Sequence, residues 1–227
     1  MKKLLIAGVV LLVVAGAAVG GFVWYSNSQE QDETSLTDTA DQRATAAPLA
    51  GSPDGRWTVA SGSKGGYRVE NEVLEGATVT ATGYTEMITG SLTLADGGTT
   101  ISGATFDVDV ASITSKDFAR RDRAFQEALG VTQFPTATFT QTSPVTLVSF
   151  PADNVETPVE FAGDLTLKGV TKPVTFTATA IRGGSRIDVK ALIPITYTDF
   201  GIENPSNPFA TIGDTGNIDV SIGFTKS

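Results

Sequence analysis

The sequence predicts an all-β exported domain, an antiparallel sandwich or closed barrel carrying one inserted helix, behind an N-terminal transmembrane helix. Three observations predict it. Beyond Trp57, segment after segment alternates apolar and polar residues with period two, glycine-bearing turns separate these segments, and one stretch near residue 120 changes to helical spacing.

The chain opens on Met1-Lys2-Lys3, followed by an uncharged apolar run over residues 4–25. As a helix this run would reach roughly 33 Å, against a hydrocarbon core of roughly 30 Å. A cleaved signal peptide would instead use residues 4–14 as its apolar core and Ala15-Gly16-Ala17 as its small-residue site. Phe22, Val23, Trp24 and Tyr25 prolong the run, and Trp24 and Tyr25 suit the membrane–water interface, which favours an anchor over residues 1–25. Lys2 and Lys3 stay inside, so the rest is expected on the extracytoplasmic side of the cell membrane, in a single-pass protein. Cleavage would make it secreted. Residues 26–56 are Ser-, Thr-, Ala- and Asp-rich with almost no large apolar residue, and read as a flexible linker.

The domain is expected over residues 57–227. Phe106, Val108 and Val110 share one strand face, with Asp107 and Asp109 opposite. Between residues 115 and 129, Phe118, Phe125 and Leu129 fall on one helical face, Arg120, Arg121 and Arg123 lie among them, and Gly130 suits a left-handed end. Strand periodicity resumes with Ala137 and Phe139, then Phe161, Gly163, Leu165 and Leu167. Phe176, Ala178 and Ala180 alternate with threonines, and Ile187, Val189, Ala191 and Ile193 repeat the pattern, as do Ile218, Val220, Ile222 and Phe224. Asp96-Gly97-Gly98, Lys168-Gly169 and Arg182-Gly183-Gly184 mark turns.

Composition excludes several functions. A net charge of −9 opposes nucleic-acid binding, which needs a basic surface. With no cysteine and no histidine there are no disulfides, thiolate or imidazole metal sites, thiol nucleophiles or Ser–His–Asp triad. No metal or cofactor is expected. Asp107 and Asp109 could serve as paired carboxylates, but on an outward strand face they read as solubilising groups. No catalytic residue is assigned, and the chain does not read as an enzyme.

Arg121-Asp122-Arg123-Ala124-Phe125 leads into Phe134-Pro135-Thr136-Ala137-Thr138-Phe139, followed by the run from Gly163 to Val174 (GDLTLKGVTKPV) and by Asp199-Phe200-Gly201-Ile202. Together these motifs resemble the YceI-like family of polyisoprenoid-binding proteins. The likeness covers about Trp57 to Ser227. It implies a lipocalin-like antiparallel barrel whose lumen accepts a long-chain isoprenoid or another apolar lipid. Two departures stand out: Ala60-Ser61-Gly62-Ser63 lacks the family's usual histidine, and Phe134 replaces a usual tyrosine.

An eight-stranded barrel either fills with side chains or leaves room for a ligand. Large residues (Phe106, Phe139, Phe161, Phe176) face small ones (Ala178, Ala180, Ala191), which either interdigitate or leave a channel. On the ligand reading these residues line the lumen with Val108, Phe118, Phe125, Leu165 and Val189. Arg120, Arg121 and Arg123 are then candidates for a phosphorylated head group, since guanidinium binds phosphate bidentately. The alternative is a structural or adhesive envelope domain without a ligand. Dimerisation is left open.

Overall fold

The structure is a computed structural model that describes residues 39–227, apart from 75–76, 116–118, 205 and 207–209. The expected membrane segment over residues 1–25, and Phe118 of the helix, lie outside the described residues. Among those described, no helix is long and apolar enough to cross a membrane.

The alternating segments form one antiparallel meander that closes into a barrel. β1 (Gly55–Val59) and β2 (Lys64–Leu74) act as two halves of one bent strand, because both run antiparallel to β12 (Thr215–Lys226). β3 (Ala77–Thr85) pairs with β2, and β4 (Ile88–Ala95) pairs with β1, so the next strand is bent in the same way. The meander continues through β5 (Thr100–Asp109), β6 (Thr136–Gln141), β8 (Glu156–Leu167), β9 (Val170–Gly183) and β10 (Arg186–Thr196), and ends at β12. Counting each bent pair once, eight strands close the barrel. Short β7 (Val145–Thr146) and β11 (Ala210–Thr211) attach to β5 and β2.

The inward rows are those the periodicity predicts. Phe106 stands opposite Phe139, Phe139 opposite Leu165, Phe161 opposite Phe176, and Ala178 opposite Ala191. All of these are buried. The β8–β9 hairpin turns on two residues, Lys168 (φ 51°) and Gly169 (φ 74°), and positive φ at both central positions matches the right-handed twist of the flanking strands.

The helix inserted between β5 and β6 is α2 (Ala119–Leu129), and Gly130 ends it in the left-handed conformation at φ 61°. It sits at the barrel end where β8 turns into β9. A short α1 (Ala40–Ala44) packs outside the wall near the opposite end, against β9 and β10.

Two outcomes differ from the sequence expectation. Residues 39–54, part of the stretch expected to be a free linker, lie docked on the barrel. Arg43 Nη1 contacts Asp188 Oδ2 at 2.7 Å, Ser185 N donates to Ala47 O at 2.8 Å, and Trp57 Nε1 donates to Pro53 O at 2.9 Å. Composition signals tethers through missing apolar bulk, whereas this docking uses a buried ion pair and backbone hydrogen bonds. The second difference is buried charge on the outward face of the sheet. Asp188 faces outward from the sheet yet is fully buried, held by Arg43 and by Arg186 Nε at 2.7 Å. Asp219, also outward and fully buried, accepts from Tyr84 Oη at 2.9 Å beside Arg68.

Candidate functional site

The interior is divided. In one part, Phe106, Phe139, Phe176 and Phe161 form a chain of ring contacts with centroids 5.2, 5.2 and 5.8 Å apart. Ala178, Ala180 and Ala191 are buried in this close-packed region, and Val189 packs against it half-buried. The small residues here sit among large aromatic neighbours in the core.

Towards the α2 end a cavity of about 110 Å³ remains. Val108, Ala137, Leu165 and Leu167 form its barrel side, Phe125 and Leu129 of α2 its outer side, and Phe106 borders it from the packed region. Of the residues singled out from sequence, Phe106, Val108, Phe125, Leu165 and Arg121 therefore meet at this cavity. Phe139, Phe161, Phe176, Ala178, Ala180, Val189 and Ala191 do not line it.

α2 is seated by specific contacts. Phe125 stacks on Tyr67 with centroids 4.3 Å apart and an interplanar angle of 21°. Tyr67 can lie there because Gly83 has no Cβ, which would stand 2.6 Å from Tyr67 Cε1. Tyr67 Oη bonds Ser115 Oγ at 2.9 Å, and Ser115 N donates to Asp122 Oδ1 at 2.6 Å. Burial pushes the Tyr67 phenol up to about 12, and Tyr197, which also borders the cavity, up to about 12 by the same cause.

The arginine cluster separates. Arg120 and Arg123 are exposed, while Arg121 turns inward and its Nη2 lies 3.5 Å from Glu72 Oε2. Among the described residues, Glu72 and Arg121 are the charged groups lining the cavity. Burial pushes the Glu72 carboxyl above its ordinary range, with Arg121 pulling the other way. Sequence reasoning missed Glu72 for a definite reason. A bulge between Val69 and Glu72 adds one residue to β2, so an even-numbered residue turns to the inward face that Tyr67 and Val69 occupy. Strict alternation would leave it outside with Arg68 and Glu70.

The sequence motifs converge at this end. Phe134 lies against Gly169, where a Cβ would come within 2.6 Å of its ring. Lys168 Nζ donates to Gly201 O at 2.8 Å, and Ile202 lines the cavity. The paired strand carboxylates have other employment. Asp107 Oδ1 accepts from Thr138 Oγ1 at 2.6 Å, and Asp109 Oδ1 accepts from Ala111 N at 3.0 Å. Among the described residues no cluster of His, Cys, Asp and Glu could hold a metal ion.

The family model described as the YceI-like domain matches residues 57–224. A UPF0312 protein of Pseudomonas putida is 34% identical over 128 residues, covering 53% of this chain and 60% of the relative. Protein YceI of Shigella flexneri is 39% identical over 98 residues, covering 40% of this chain and 47% of its own. The chain thus spans about half to three-fifths of the length of these curated relatives. Among solved structures, a polyisoprenoid-binding domain from Saccharophagus degradans superposes with a TM-score of 0.59 at 17% identity, covering 77% of this chain and 99% of that domain. BcnA of Burkholderia cenocepacia gives 0.53 at 18% identity, covering 71% and 95%. At these identities the two structures share a fold with this chain.

Proposed function

Because this chain belongs to the YceI-like domain family, we propose that it is a lipid-binding protein that holds the apolar chain of a long isoprenoid or similar lipid in the barrel lumen. The observation that carries the reading is a cavity lined almost entirely by aliphatic and aromatic side chains, at the end where the family's motifs meet. The polyisoprenoid-binding domain of similar fold supports the choice of ligand class. Each methylene buried there favours binding by about 0.8 kcal/mol before ordering costs.

At about 110 Å³ the cavity is smaller than the ~150 Å³ site that holds one benzene in an engineered protein. It takes the end of a long chain as it stands. Holding more requires α2 to shift from the Tyr67–Phe125 contact, and the chain then follows the helix–barrel seam. Residues 1–25 anchor the protein in the cell membrane and present the barrel on the extracytoplasmic side. No catalytic step is assigned to it.

Native mass spectrometry of the protein released from its own membranes tests the reading. A co-purifying long-chain lipid is expected, and Ala137→Phe, which fills the cavity from its wall, should lose it while keeping a cooperative thermal transition. A folded Ala137→Phe protein with full lipid occupancy would exclude the lumen as the site.

A further inference from the structure

Among the described residues, two charged groups line a mostly apolar cavity, and they oppose each other. Arg121 is the member of the arginine cluster that turns inward, and Glu72 faces it at 3.5 Å. The Glu72 side chain is 6% exposed and that of Arg121 18%. The Glu72 carboxylate offsets the Arg121 charge at this point of the wall, so Arg121 does not face a ligand as a lone positive group. Tyr197 and Asn217 border the same cavity and add neutral hydrogen-bonding groups. A phosphate monoester brings between one and two negative charges at neutral pH and must then sit beside a buried carboxylate, where like charge and desolvation both act against it. A hydroxyl head has no such difficulty. It can donate to the Glu72 carboxylate and accept from Arg121 without disturbing the balance.

We propose that Glu72 is a specificity-determining residue that makes the lumen select lipids with an uncharged, hydrogen-bond-donating head and reject phosphorylated ones of the same chain. The inference rests on the lumen being the lipid site. Arg121 works with Glu72 as the donor half of the head-group contact. Exposed Arg120 and Arg123 stay outside it, so a dense arginine cluster in the sequence does not amount to a phosphate site. The raised proton affinity of Glu72 in its buried position agrees with a carboxylate that resists further negative charge.

The test is equilibrium binding of geranylgeraniol and geranylgeranyl phosphate to the full-length protein in detergent. Wild type should bind the alcohol at least about tenfold more tightly, a gap of about 1.4 kcal/mol. Glu72→Gln should narrow that gap about tenfold, by strengthening phosphate binding and by weakening the acceptor for the alcohol's hydroxyl. Arg121→Gln, prepared in parallel, should widen it by weakening the phosphate further, and it reads the same balance if Glu72→Gln does not fold. Equal or tighter binding of the phosphate by wild type, or a ratio that neither variant moves, overturns the role of Glu72. Binding of neither lipid by folded wild type overturns the lumen reading itself, and the inference falls with it.

Discussion

The ring of Phe139 occupies the space that a side chain on Gly163 would fill: a Cβ there would lie 2.5 Å from Phe139 Cε2. The two residues sit on adjacent strands, where Phe139 pairs with Leu165 and Gly163 with Gln141. This close approach seats the Phe139 ring in the chain of phenylalanine contacts that runs over β5, β6, β9 and β8. Gly163→Ala should therefore cost about 1–3 kcal/mol through overpacking. Thermal or urea unfolding measures it, and a change within 0.5 kcal/mol, the ordinary range of surface substitutions, would mean that both Phe139 and the Thr140 carbonyl, also 2.5 Å from that Cβ, can give way.

Glu72 should leave a mark on the pH dependence of stability. Its folded pKa is raised, chiefly by burial, so between the unfolded value and the folded value the native state holds its proton more tightly than the unfolded chain. Stability from this group is then lost as pH rises through that window, and the penalty is complete above the folded pKa. Comparing melting temperatures of wild type and Glu72→Gln from neutral pH down to about pH 4 isolates it. The difference should move in favour of wild type as pH falls. A difference that stays constant across the range would contradict the assignment.

Removing Arg43 should loosen the segment docked outside the barrel. The Asp188 carboxylate keeps Arg186 as a partner, so the loss stays below that of an orphaned buried charge, at about 1–3 kcal/mol. Limited proteolysis of Arg43→Ala should cut within residues 39–54 sooner than in wild type. Equal cleavage rates would mean that backbone bonds such as Ser185 N to Ala47 O hold the segment alone.

The proposed anchor predicts that the full chain sediments with membranes and resists extraction by salt or carbonate, while a chain lacking residues 1–25 stays soluble. Detergent should release the full protein. Recovery of a mature N-terminus just after Ala17 from the native host would replace the anchor by a cleaved signal peptide.

The sequence by itself determined the strand faces, the inserted helix and the family. Period-two alternation is a local property, since each strand's inward row depends only on which residues stand two apart, and Phe106, Phe139, Leu165, Phe176 and Ala178 all fell inward as that rule requires. Tertiary structure decided which inward residues border open space. Phe106 and Phe139 follow the same strand rule, yet one borders the cavity and the other does not, because neighbours on adjacent strands, such as Gly163 beside Phe139, set local volume. It decided the polar end as well. Glu72 faces inward only because a bulge shifts its register, and Arg121 parts from Arg120 and Arg123 only because α2 lies against β2. It docked residues 39–54 through Arg43 and Asp188, which are 145 positions apart in the chain. Volumes, register shifts and distant ion pairs depend on partners far away in sequence, and no local pattern encodes them.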